Sequence, residues 1–123
     1  MRGRYYLGRV VKKGLLDQGK LIQTLLAPPI VEVGKFEWTI TDVVDGLNEE
    51  IPFLFGKLSK YAKRGHVKIV DENSRLQVDA VATNLLEASS PFVYLPEFSG
   101  LAFLHAWNGV TENLFPKRFK AIV

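Results

Sequence analysis

His66 and His105 are the chain's two imidazoles, and in a sequence without cysteine they are the side chains suited to moving a proton near neutral pH. A metal centre built on them would need carboxylates from elsewhere, because no His-x-His or His-Glu-x-x-His spacing prearranges ligands. Each reads as a half-buried structural residue at a strand edge. The lack of cysteine removes disulfides, thiolate zinc sites, iron–sulfur clusters and thiol catalysis, and it fits a cytoplasmic protein. Nucleophilic catalysis needs an activated hydroxyl beside a base, yet Ser59, Ser74, Ser89, Ser90 and Ser99 stand in no nucleophile elbow. The adjacent acids Glu49-Glu50 and Asp71-Glu72 fall in polar turns, where carboxylates stay solvated. Gly3, Gly8, Gly14 and Gly19 match no phosphate-binding loop. The sequence therefore predicts no enzyme, no cofactor and no metal, and a small hydrolase or nuclease around His66 or His105 is its third reading.

Charge offers a different chemistry. The net charge is only +3, but the charges come in blocks. Arg2, Arg4, Arg9, Lys12, Lys13 and Lys20 crowd residues 1–20, and Lys57, Lys60, Lys63, Arg64 and Lys68 crowd 57–68. Acids dominate 32–50 and 71–97. Single-stranded nucleic acid is held by a positive groove with aromatic faces for stacking. The candidates for such a groove are Arg4, Tyr6, Arg9, Lys12 and Lys13 from the first block and Lys57, Lys60, Tyr61, Lys63 and Arg64 from the second. Two arrangements are open: the basic blocks merge into one surface, or each packs beside an acidic block and cancels. The cancelling arrangement is preferred, because mixed-sign surfaces are how small domains ordinarily stay soluble.

These residues need elements to position them. Arg4 to Lys12 reads as a first strand, with Gly8 expected to mark a bulge or a close backbone approach. Asp17 caps a short helix with Leu21, Ile22, Leu25 and Leu26 on one face, ended by Pro28-Pro29, with a strand through Leu21–Leu26 as the competing reading. Phe36, Trp38 and Ile40 alternate with Glu37, Thr39 and Thr41, the clearest period-two pattern in the chain. Ile51 to Tyr61 begins as a strand or buried segment, and Gly65 is expected to break the chain after it. His66 to Val70, the polar turn Asp71 to Ser74 and Leu76 to Val81 form a hairpin. Ala82 to Ser90 reads as a strand or a helical turn, while Pro91 and Pro96 bracket an edge strand or a loop-flanked short one. A further strand runs from Leu101 to Trp107, followed by the turn signal Asn108-Gly109.

Pro116 suits a first helical turn, and Phe115, Phe119 and Ile122 follow at helical spacing. So short a helix exists only by docking. Phe115, Phe119 and Ile122 are accordingly the candidate interaction residues, either with a region beyond Val123 or with the domain's own sheet. The unfinished pattern suggests the N-terminal domain of a longer protein. The segments Phe53-Leu54-Phe55-Gly56-Lys57-Leu58-Ser59-Lys60-Tyr61, Ser90-Pro91-Phe92-Val93-Tyr94-Leu95-Pro96-Glu97 and Phe115 to Val123 resemble the N-terminal region of uncharacterised bacterial proteins, some associated with phage defence. That resemblance implies an accessory or sensing domain and transfers no active site.

No apolar run approaches the roughly 18 residues of a spanning helix, so no membrane contact is expected. The expected fold is a single α+β domain: six to eight mainly antiparallel strands in a strongly bent sheet or partial barrel, with one or two short helices. Its expected core is Phe36, Trp38, Ile40, Phe53, Phe55, Ile69, Val78, Phe103 and Trp107. The leading functional expectation is a non-catalytic interaction or accessory domain whose partner is a protein, its own C-terminal region or another copy. A nucleic-acid-binding module using 1–20 and 57–68 is the alternative.

Overall fold

The computed structural model describes residues 5–9, 18–105 and 109–123. It is α+β. Strands β1 (Tyr5–Arg9), β2 (Val31–Val33), β3 (Phe36–Gly46), β4 (Phe53–Asp71), β5 (Leu76–Leu95) and β6 (Gly100–Leu104) form one antiparallel sheet in the order β1-β6-β5-β4-β3-β2. The sheet is open, with β1 and β2 at its edges. Helices α1 (Gln18–Leu26) and α2 (Leu114–Ile122) pack on one face. None of the described helices is long and apolar enough to cross a membrane.

Alternation dictates which side chains meet those helices. Trp38 and Ile40 of β3, Leu54 and Leu58 of β4, Phe92 and Tyr94 of β5, and Phe103 of β6 all point to the helical side. Leu21 and Leu25 of α1 and Phe115, Phe119 and Ile122 of α2 complete the same core. The aromatic centre is tight. Phe103 and Phe115 stack with ring centroids 4.1 Å apart, and Phe92 meets the edges of Phe115 and Phe119 at 5.7 and 5.5 Å. Gly56 lies across from Phe92 in the sheet, and a Cβ there would come within 2.9 Å of Ile40 Cγ2 and 3.0 Å of Phe92 Cζ. Only glycine leaves room for these two side chains.

The helix ends are anchored by side chains. The Tyr94 hydroxyl donates to Gln18 Oε1 (2.8 Å), and Gln18 Nε2 donates to the Pro96 carbonyl (3.0 Å), which ties the start of α1 to the end of β5. The Leu114 N–H at the start of α2 donates both to the Thr111 carbonyl (3.1 Å) and to Thr111 Oγ1 (3.2 Å). Lys120 lies in the last turn, at the negative end of the helix dipole.

Several expectations change. Gly8 marks neither a bulge nor a close approach: β1 pairs with β6 in unbroken register, and nothing lies within 4 Å of a Cβ built there. Gly65 does not break the chain. Strand β4 runs through it, because a Cβ at 65 would sit 2.8 Å from that of Leu85 and glycine alone allows the approach. Residues 82–90 are strand throughout. Pro91 stands within β5, not on an edge strand, just outside the stretch paired with β6. Proline has no N–H, and the neighbouring Leu104 carbonyl accepts from the Ser90 hydroxyl. Of the expected core, Trp38, Ile40 and Phe103 are buried, whereas Ile69 and Val78 are 49% and 36% exposed. Phe36, Phe53 and Phe55 are half-buried. Trp107, Asp17 and Asn108 lie outside the described residues.

Candidate interaction surface

The two basic blocks do not meet among the described residues. Two strands, β6 and β5, separate β1 from β4, about 14 Å at the usual strand spacing. Arg4, Lys12 and Lys13 lie outside the described residues, as does the side chain of Arg9. Tyr6 faces the helices, stacked on Phe103 at 5.5 Å. In the second block the positive charges have local partners. Lys57 Nζ is 3.7 Å from Asp42, Lys63 Nζ is 3.0 Å from Glu37, and Lys68 Nζ is 2.6 Å from Asp79. Lys60 Nζ lies 4.0 Å above the Phe36 ring, a cation–π contact. The Tyr61 hydroxyl makes a long hydrogen bond, 3.4 Å, to Glu37 Oε2. Loss of water and the nearby Glu37 charge hold this phenol above its ordinary pKa, and the hydrogen bond to Glu37 raises that of Lys63. Arg64 is exposed on β4. Acid–base pairing across neighbouring strands thus follows the cancelling arrangement.

The histidines are also separated. His66 faces Val81 across β4 and β5, whereas β6, which leads to His105, meets β5 from Phe92 onward. From Val81 to Phe92 is roughly 36 Å of extended strand. His105 is buried, with Nδ1 2.8 Å from Glu112 Oε2. Ser90, whose hydroxyl donates to the Leu104 carbonyl, is fully buried. No group of three metal-ligating side chains forms among the described residues.

Phe115, Phe119 and Ile122 are 0%, 4% and 4% exposed, all within the domain's own core. Of the two dockings expected for this helix, the structure shows the one on the domain's own sheet. The surfaces that stay apolar and open lie elsewhere, in two places that the sequence reading missed.

One is the far half of the β4–β5 hairpin. Strand β3 pairs with β4 only as far as Tyr61, and β6 pairs with β5 only from Phe92. Beyond a register shift between Lys60 and Tyr61, β4 and β5 continue as a bare two-stranded ribbon to Asp71 and Leu76. Register and alternation sort its residues. Val67, Ile69, Leu76, Val78, Ala80 and Ala82 share one face, interrupted near the tip by Asp71. The other face carries Arg64, His66, Lys68, Gln77, Asp79 and Thr83 together with Val70 and Val81. The ribbon is amphipathic, but nothing described covers its aliphatic face, where Leu76 is 62% and Ile69 49% exposed.

The second is the sheet face opposite the helices. Leu7, Ala102, Val93, Phe55 and Val44 are paired in register across β1, β6, β5, β4 and β3, forming one apolar row. Leu7 is 85% and Val44 50% exposed. Between them Phe55, Pro91, Val93 and Ala102 line a shallow apolar depression of about 190 Å³. Contiguous apolar surface left open in this way is a candidate for contact with another molecule. Comparison with protein-family models, curated proteins and solved structures found no match.

Proposed function

We propose that this chain is a non-catalytic protein-interaction domain. The observation that carries the reading is the bare ribbon: a two-stranded hairpin is at best marginally stable alone in water, yet this one presents an aliphatic face that none of the described residues covers. The pairing of Lys57, Lys63 and Lys68 with acids weighs against a nucleic-acid groove at the same place. In this reading the domain has the accessory role that its resemblance to phage-defence-associated bacterial proteins implies. A photoreactive residue placed at Ile69 tests it, with one at exposed Lys117 on α2 as the control. Crosslinks from position 69 to polypeptide, absent from position 117, are expected. Crosslinks to nucleic acid alone, or none above the control, would overturn it.

A further inference from the structure

We infer that the occupant of both open apolar surfaces is a second copy of this chain, each copy laying its ribbon across the uncovered sheet face of the other. The inference rests on the interaction reading above and names its partner. Three observations lead to it. The ribbon cannot cover its own sheet, because β4 and β5 pass uninterrupted from one into the other and the ribbon continues the sheet instead of lying over it.

The dimensions match. From Ala62 to Asp71 the ribbon is roughly 33 Å long, and the apolar row from Leu7 to Val44 crosses five strands, or roughly 19 Å. One ribbon is long enough to span the whole row.

The areas also discriminate. A fully covered aliphatic side chain removes roughly 60–120 Å² from water, so one ribbon laid on one sheet face buries on the order of 600 Å² counting both sides. A dimer joined only ribbon to ribbon would bury about that much, short of the roughly 1,000 Å² that a specific interface needs. Reciprocal exchange makes the contact twice, reaching about 1,200 Å², the lower limit of stable interfaces. It is also an isologous two-fold arrangement, which closes on itself and leaves neither apolar surface open.

Sedimentation equilibrium of the purified chain tests this. The chain is expected to be a dimer. A ribbon variant, Ile69→Asp with Val78→Asp, and a face variant, Leu7→Asp with Val44→Asp, are each expected to be monomers with an unchanged far-ultraviolet spectrum. Ile69→Ser and Leu7→Ser replace them if an aspartate disturbs folding. Three results would overturn the inference: a monomeric wild-type chain at the highest soluble concentration, dimerisation surviving in the face variant, or dimerisation surviving in the ribbon variant. If the wild-type chain is monomeric while position 69 still crosslinks to other polypeptides, the interaction reading stands and only the second copy falls.

Discussion

Leu58 and Ile69 occupy the same strand, yet Leu58 is fully buried and Ile69 is half exposed. The two side chains lie an odd number of residues apart and so on opposite faces of β4, Leu58 toward the helices and Ile69 away from them. Around Leu58, strand β4 has β3 and β5 on its flanks and is part of the core shared with α1 and α2. Around Ile69 it has β5 alone. Pairing with β5 carries β4 from one region into the other past the register shift at Lys60/Tyr61, so pairing decides where the strand runs and the helices decide where the domain is stable. Stability in this molecule should therefore be concentrated in the helix-backed half, with the ribbon almost neutral to folding. Each prediction below tests that division.

The largest effect is expected where α2 and strands β1, β5 and β6 share aromatic contacts. Phe115→Ala removes a ring stacked on Phe103 at 4.1 Å and on Phe119 at 5.6 Å, and should cost about 3–5 kcal/mol in denaturant unfolding. Phe119→Ala, which empties a site 4% exposed, should cost ~3 kcal/mol or more. Ile69→Ala on the ribbon should stay within about 0.5 kcal/mol when measured on monomeric protein. Comparable losses at Phe119 and Ile69 would break the comparison.

Gly56→Ala sharpens it from the opposite direction by adding volume. The new methyl would meet Ile40 Cγ2 and Phe92 Cζ at 2.9 and 3.0 Å, inside ordinary contact distance, and neither ring nor branch can withdraw without disturbing α2. A loss of about 1–3 kcal/mol is expected from overpacking, read as a lower thermal midpoint. Ser90→Ala follows, at about 1–3 kcal/mol, because the Leu104 carbonyl then loses the donor that stands in where Pro91 has no N–H. An unchanged midpoint for either variant would mean that the sheet centre relaxes as freely as the ribbon.

What could be read in advance divides along the same line. The pattern of Phe36, Trp38 and Ile40 gave β3, the spacing of Leu21 and Leu25 gave α1, and Pro116 with Phe115 and Phe119 gave α2, because local periodicity fixes which face is apolar. The hairpin around Asp71 to Ser74 was equally legible from turn chemistry. Its length was not. Gly65 and Pro91 read as breaks because, locally, they are poor strand residues, and only the neighbours Leu85 and Ser90 make them fit. Ile69 and Val78 were assigned to the core for a related reason: alternation identifies an apolar face, but whether a helix lies over it depends on where the rest of the chain goes. The candidate interaction surface was therefore hidden inside the predicted core. The cancellation of the second basic block, in contrast, was anticipated from the alternating blocks of charge.

The smallest expected effect lies at the ribbon tip. The Asp71 carboxylate accepts from the Asn73 N–H at 2.9 Å, and the Arg75 N–H donates to the Asp71 carbonyl at 2.7 Å as Arg75 takes a left-handed conformation, φ 60°. Hydrogen bonds from the Asn73 and Ser74 amides, then the Ser74 hydroxyl, favour the charged carboxylate and hold its pKa below the ordinary value of 3.8. With a folded pKa depressed in this way, the turn's contribution is complete above the ordinary aspartate value and is lost as the pH falls through the lowered one. Because the group is solvent-exposed, the loss should be local. In a pH titration followed by nuclear magnetic resonance, the Asn73 and Ser74 amides should move together below pH 3.8, while those of Leu58 and Phe92 stay still. Asp71→Asn should abolish the titration without shifting the unfolding midpoint. If acid instead loosened Leu58 and Phe92 along with the tip, the ribbon and the helix-backed sheet would be one cooperative unit, and the two halves of β4 could not be treated as separate regions.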